Sequence, residues 1–271
     1  MERYLWLVPL GFAIGTYGTL IGAGGGFVLM PILLLLYPGE TPELLTSISL
    51  AVVFFNALSG SWAYARMGRI DYRSGLLFAA AAVPGAVLGA LTTAYIPRRW
   101  FDLVFGLLMI AASASLLFSP DGEEQATGGS LHHPLPRELG EVDGRGQTFS
   151  YNPLVGVGLS LGVGYVSSLL GIGGGIVHVP ALVHLLNFPV HVATATSHFI
   201  LAIMALTGTL VHILTGTFSH GVRRTVALAV GVLFGAQLGA RLSGRVQGTW
   251  IIRGLAVALG FVGVRILIGA L

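Results

Sequence analysis

Two short polar clusters interrupt a chain that is otherwise mostly hydrocarbon. Thr46 and Ser47 lie in "LLTSIS", and Thr196, Ser197 and His198 lie in "TATSHF". Each cluster follows a run of three glycines by about twenty residues: Gly24, Gly25 and Gly26 in the first case, Gly173, Gly174 and Gly175 in the second. His178 stands three residues after the second run, and Asn56 ten residues into the apolar stretch that Thr46 opens. Hydroxyl, amide and imidazole groups, together with backbone N–H groups freed at the glycines, form a set of hydrogen-bond donors without an acid. That chemistry suits binding of an anion. His178 and His198 also titrate near neutrality, so either can carry a proton. The competing role for each of these groups is structural: a hydroxyl bonded to the carbonyl one turn back, or a neutral histidine bridging two helices.

Other chemistries lack their residues. The chain has no cysteine, which removes disulfides and thiolate metal sites. All 14 basic residues are arginines, so a P-loop lysine and a Schiff-base lysine are absent, and the glycine runs do not fit GxGxxG. No HExxH or comparable zinc set appears, and no carboxylate is placed to orient a histidine behind a serine. The arginines sit at segment ends and form no basic stripe for nucleic acid. No cofactor is implied, and the chain does not read as an enzyme. None of the 11 acidic residues lies after Asp143, whereas cation carriers and proton relays usually keep a carboxylate within a span.

The elements that hold these groups must lie in a bilayer. Of the 271 residues 54% are hydrophobic and 9% charged, against roughly 25% charged in a soluble domain. Apolar runs cover 4–21, 27–37, 44–65, 75–95 and 101–118, then 154–170, 176–187, 193–214, 224–241 and 250–270. They predict an all-α polytopic membrane protein with roughly 8 to 10 membrane segments. No charged leader with a cleavage site precedes the first run, which therefore reads as membrane segment and not signal peptide. Three regions follow: a first repeat over 1–118, a polar and flexible linker over 119–152, and a second repeat over 153–271. His132 and His133 in the linker read as solvated.

The repeat is visible residue by residue. "GAGGGFVLMP" aligns with "GIGGGIVHVP" without gaps, Thr46-Ser47 with Thr196-Ser197, "PGAVLGA" with "FGAQLGA", and Trp100 with Trp250. The first apolar stretch, residues 4 to 37, would make one helix about 51 Å long, well beyond the roughly 30 Å of hydrocarbon. Each glycine costs about 1 kcal/mol in a helix interior relative to alanine. A break at each GGG is therefore predicted, with its released backbone groups buried in protein or facing a polar cavity. The helix starting after each break turns a positive dipole end toward that cavity. The glycines at 85–89 and 235–239 read as close-packing surfaces instead. Broken helices at matching points of two halves are the mark of a transporter site at a repeat interface.

Arginine counts place residues 65 to 73 and the linker in the cytoplasm. The vote for the second half is nearly balanced, and inverted halves are preferred because broken helices at a shared midplane are typical of inverted repeats.

The doubled G-x-G-G-G-x(4)-P element, each copy followed by a Thr/Ser-headed helix and a G-x(3)-G segment, resembles the TauE/SafE family of sulfite exporters. The resemblance covers nearly the whole chain outside the linker. It implies a multi-pass inner-membrane secondary transporter of a small sulfur-containing anion, such as sulfite or an organosulfonate, with no ATPase domain. The glycine elements with Pro31 and Pro180 match the family pattern, whereas the substrate roles of Thr46, Ser47, Asn56, His178, Thr196, Ser197 and His198 are inferred from position. A proton or another ion is a possible coupling partner. An anion channel, or a carrier of another small anion or metabolite, is the alternative.

Overall fold

The computed structural model describes residues 4–118, 135–142, 145–243 and 249–270. Ten helices run through them: α1 (Leu7–Ile21), α2 (Gly26–Leu36), α3 (Pro42–Arg66), α4 (Tyr72–Thr93), α5 (Arg98–Phe118), α6 (Pro153–Leu170), α7 (Gly175–His184), α8 (Val190–Leu214), α9 (Val222–Leu242) and α10 (Thr249–Ala270). Among the described residues, α3, α4, α6, α8 and α9 are long and apolar enough to cross a membrane, and α1, α2, α7 and Leu259–Ala270 are shorter apolar helices.

Among the described residues one stretch forms strands. The segment expected to be a flexible linker contains an antiparallel hairpin, β1 (Leu135–Val142) with β2 (Arg145–Tyr151). Between the two strands the sequence carries Asp143-Gly144, a favoured two-residue hairpin signal. His132 and His133 lie outside the described residues.

Helix starts follow local chemistry. Thr41 caps α3, its hydroxyl accepting from the Leu44 N–H at 3.3 Å, and Pro42 occupies the first helical turn where its missing N–H costs nothing. Asn152 and Pro153 repeat this device at α6. Asp71 caps α4 through the N–H groups of Arg73 and Ser74.

The two sets of five helices make matching contacts. α1 packs on α9 and α6 on α4, each pair running parallel. Gly231, Gly235 and Gly239 lie against the backbones of Val8, Phe12 and Thr16, while Gly85 and Gly89 lie against Leu161 and Tyr165. An added methyl at any of these glycines would strike a backbone oxygen. The glycines at 85–89 and 235–239 are thus packing surfaces, as expected. α3 and α8 run antiparallel through the centre, since Gly60 of α3 meets His198 while Gly208 of α8 meets Leu50. α5 and α10 pair antiparallel at one side through Gly106 and Gly263.

This packing corrects the sequence register. Gly22 rests on Thr194, and its counterpart Gly171 rests on Thr46. Gly24 meets Leu201, and Gly173 meets Val53. Thr46 therefore corresponds to Thr194, not Thr196, and Ser49 to Ser197. The string "TS" occurs at a shifted position in the second half, and alignment by letters followed it.

Candidate functional site

Both breaks have the same backbone. α1 ends at Gly22 and α2 starts after Gly25, both left-handed with φ of 83° and 77°; α6 and α7 do the same at Gly171 and Gly174, with φ of 67° and 68°. Gly24 and Gly173 are left-handed as well. L-residues rarely adopt this region, so the glycine runs are required by conformation. Each chain folds back on itself at the break, because Gly25 returns to Ile14 and Gly18, and Gly174 to Val163 and Ser167. Inside the first turn the Ala23 and Gly24 N–H groups share the Gly18 carbonyl. At the heads of α2 and α7 the Gly175 N–H donates to the Gly173 carbonyl at 2.9 Å, and the Val28 and Val177 N–H groups donate to the carbonyls of Gly25 and Gly174.

The two breaks touch. A methyl at Gly26 would lie 2.6 Å from the Ile172 carbonyl oxygen, and one at Gly175 would lie 2.6 Å from the Gly22 oxygen. Val53 and Leu201, near the middles of α3 and α8, wedge against them. Gly24, Gly25, Gly26, Gly173, Gly174 and Gly175 thus come together at mid-height of the two central helices, an arrangement in which only backbone fits between the halves.

Beside the first break lies a buried polar cluster. The Thr19 hydroxyl donates to Asn56 Oδ1 at 3.2 Å, and Thr19 Oγ1 and His198 Nε2 are 3.3 Å apart. The Tyr64 hydroxyl donates to the Thr19 carbonyl at 2.8 Å, and the Tyr64 and His198 rings meet edge-on at 5.5 Å. Gly60 leaves room for the imidazole, since a methyl there would stand 2.6 Å from its Cδ2. Thr19 spends its proton on Asn56, so the Asn56 Nδ2 group keeps two donors without an acceptor. His198 Nδ1 is buried without a hydrogen-bond partner.

The other predicted residues divide. Thr46 Oγ1 and Ser197 Oγ are buried without a partner, on either side of the joined breaks. Ser49, the counterpart of Ser197, donates to the Gly171 carbonyl at 2.6 Å. Ser47 donates to the Leu44 carbonyl of its own helix at 2.7 Å. Thr196 accepts from the Asp71 N–H at 3.0 Å, which places it at the head of α4. The separation of Thr196 from the breaks follows from the two-residue shift in register. His178 turns to Ser160 at 3.1 Å and ties α7 to α6. Among the described residues no group of three or more acidic, histidine or cysteine side chains could hold a metal.

Sequence reasoning missed Thr19 and Tyr64. A signal for Thr19 existed: "TLIG" and "SLLG" put Thr19 and Ser168 three residues before Gly22 and Gly171. Tyr64 had none, because its counterpart His212 is of a different type.

Each face of the molecule has its own closure. On one, Arg224 pairs with Glu40 at 2.8 Å and its guanidinium lies 4.1 Å from the centre of the Tyr37 ring. On the other, Tyr151 at the end of β2 reaches Ser74 Oγ at 2.6 Å, with its ring against Phe78 and Phe188. Ser74 is held in turn by Asp71.

Known proteins match this chain over nearly its whole length. Residues 7–266 match the family model described as Sulfite exporter TauE/SafE. The probable membrane transporter protein YunE of Bacillus subtilis is 33% identical over 270 residues, covering 97% of both chains. The probable membrane transporter protein MJ0441 of Methanocaldococcus jannaschii is 24% identical over 98% of this chain and 97% of its own. No solved structure matches significantly.

Proposed function

The chain belongs to the TauE/SafE family of membrane transporters, and from that premise we propose that it is a secondary carrier of a small sulfur-containing anion, sulfite or an organosulfonate. The substrate binds where the two breaks meet. The observation that carries this reading is the set of buried donors without acceptors: Asn56 Nδ2, Thr46 Oγ1 and Ser197 Oγ. Buried polar groups are nearly always paired, so such a set is explained by a ligand that brings acceptors. Backbone amides at the starts of α2 and α7 add positive dipole ends, and no carboxylate lies in the second repeat, 153–271, to repel an anion.

The two halves form an inverted repeat. Equivalent helices α3 and α8 run antiparallel, so the axis relating them lies across the helices, in the membrane plane. Each broken pair then enters and leaves on one face as a hairpin, and the two hairpins meet from opposite sides. The arginine-bearing 65–73 loop and the starts of α6 and α8 face the cytoplasm of a cell whose inner membrane holds the protein. The Arg224–Glu40–Tyr37 and Tyr151–Ser74 closures are alternating gates, opened one at a time.

Purified protein is tested by thermal shift against sulfite, thiosulfate, sulfate, sulfoacetate and taurine, followed by flux in proteoliposomes. Saturable flux of at least one sulfur anion, reduced at least tenfold by Asn56→Leu, is expected. Absence of both stabilisation and flux for every compound refutes the proposal, and a flux that does not saturate identifies a channel.

A further inference from the structure

The polar groups beside the two breaks are in opposite states. Beside the first, Thr19 bonds to Asn56 and His198, and Tyr64 donates to the Thr19 carbonyl. Beside the second, Ser168 and His212 stand as the counterparts of Thr19 and Tyr64, and Thr46 packs on Gly171. Thr46 Oγ1, Ser168 Oγ and both ring nitrogens of His212 have no hydrogen-bond partner, and all three residues are wholly buried. Buried polar atoms are nearly always paired, so this cluster calls for a partner from outside the chain.

The packing brings the three side chains together. The contacts of Gly60 with His198 and of Gly208 with Leu50 set the register of antiparallel α3 and α8, which puts Thr46 level with His212. A methyl on Gly208, one turn before His212, would stand 3.2 Å from Ser168 Oγ. A methyl on Gly171, one turn after Ser168, would stand 3.2 Å from Thr46 Cγ2. A cavity of about 330 Å³ opens nearby, on the face that carries Glu40. Its lining includes Glu43, one turn before Thr46, and Thr93, whose hydroxyl donates at 3.0 Å to the carbonyl of Leu169, the neighbour of Ser168.

We propose that the transported oxyanion is held here, by the Thr46 and Ser168 hydroxyls and an imidazole N–H of His212. This rests on the anion-transport reading above and adds Ser168 and His212 to its site. Each hydroxyl has one hydrogen to donate, and the neutral imidazole has one in either tautomer, while a sulfur oxyanion offers several acceptor oxygens. Hydrogen bonds to an ionised acceptor are roughly twice as strong as neutral ones, so uncharged donors suffice. A hard cation would need about six oxygen ligands. Two hydroxyl oxygens are present; the Glu43 carboxylate already accepts from Thr217 at 2.6 Å, and the Gly171 carbonyl from Ser49 at 2.6 Å.

The test pairs thiosulfate binding by calorimetry with thermal unfolding of the ligand-free protein, for wild type, Ser168→Ala, His212→Phe and Thr209→Val. Ser168→Ala and His212→Phe are each expected to weaken thiosulfate about tenfold or more, the worth of one hydrogen bond to a charged acceptor. Neither replaced group bonds to the protein, so both variants without ligand are expected to unfold no earlier than wild type. Thr209→Val, which loses only a bond to the Ala205 carbonyl of its own helix, is expected to keep wild-type affinity. Unchanged affinity in Ser168→Ala and His212→Phe overturns the proposal and leaves the transport reading standing. Earlier unfolding of both with unchanged affinity identifies the cluster as a structural one. Stabilisation of wild type by sodium, lost in Ser168→Ala, makes the site a cation site and also overturns the proposal. If His212→Phe does not fold, Ser168→Ala decides. Should wild type bind neither thiosulfate nor any other anion of the screen, the transport reading fails and this assignment with it.

Discussion

Substituting the glycines of the joined breaks by alanine separates conformation from contact. Gly26 and Gly175 are the useful positions, because their φ angles, unlike those of their neighbours, lie outside the left-handed region. A methyl on Gly26 would stand 2.6 Å from Ile172 O, 2.6 Å from Val53 Cγ2 and 2.7 Å from Ile172 C. On Gly175 it would stand 2.5 Å from Ala23 Cα and 2.6 Å from Gly22 O. Carbon–oxygen contacts settle at about 3.3 Å or more, so the opposing loop must withdraw by roughly 0.7 Å. Overpacking of this kind costs about 1–3 kcal/mol, and backbone neighbours place both variants in the upper half of that range. At about 2 kcal/mol the folded-to-unfolded ratio drops roughly 30-fold. Gly162 in α6 is the control, with nothing within 4 Å of an added methyl. There alanine gains roughly 0.5–1 kcal/mol by removing the helical glycine penalty. Equilibrium unfolding in mixed micelles, followed by tryptophan signal, reads both signs. Gly26→Ala and Gly175→Ala as stable as wild type, or Gly162→Ala as damaging as they are, would refute the contact argument.

Other substitutions test the remaining contacts in the same assay. Thr19→Val strips Asn56 Oδ1 and His198 Nε2 of their shared partner and should cost about 1–3 kcal/mol. Thr209→Val, which loses only a bond to its own helix at Ala205, should cost less than about 1 kcal/mol. Tyr151→Phe keeps the ring packing but loses the contact to Ser74, and a loss of about 1 kcal/mol is expected. Arg224→Met removes a partly exposed ion pair and a ring contact; a loss of no more than about 1–2 kcal/mol, shrinking as salt is raised from 0.05 to 1 M, is expected.

The membrane class and both helix breaks were legible because they depend on local facts. An apolar run too long for the bilayer, three adjacent glycines and their repetition need no knowledge of the tertiary fold. The register of α3 against α8 was not legible, since Thr46-Ser47 and Thr196-Ser197 share letters but occupy positions two residues apart in the repeat. Only the contacts of Gly22 and Gly171 reveal this. The same shift explains why Thr196 serves the head of α4 and not the breaks. The Thr19–Asn56–His198 cluster draws on α1, α3 and α8, and no sequence window contains all three. The hairpin was obscured by composition: a polar, glycine-containing segment reads as linker even when it carries an Asp-Gly turn signal.

The repeat gives this molecule two sockets, and they are furnished differently. Opposite Asn56 the second socket has Met204; opposite Tyr64 it has His212; opposite His198 it has Leu50. The glycines could not diverge in this way, because each copy's backbone is the wall against which the other copy is fitted. A change in one half would have to be answered in the other, so the breaks stayed alike while the side chains around them drifted apart. The two sockets are therefore unlike, and a side-chain substitution beside one break has no equivalent beside the other.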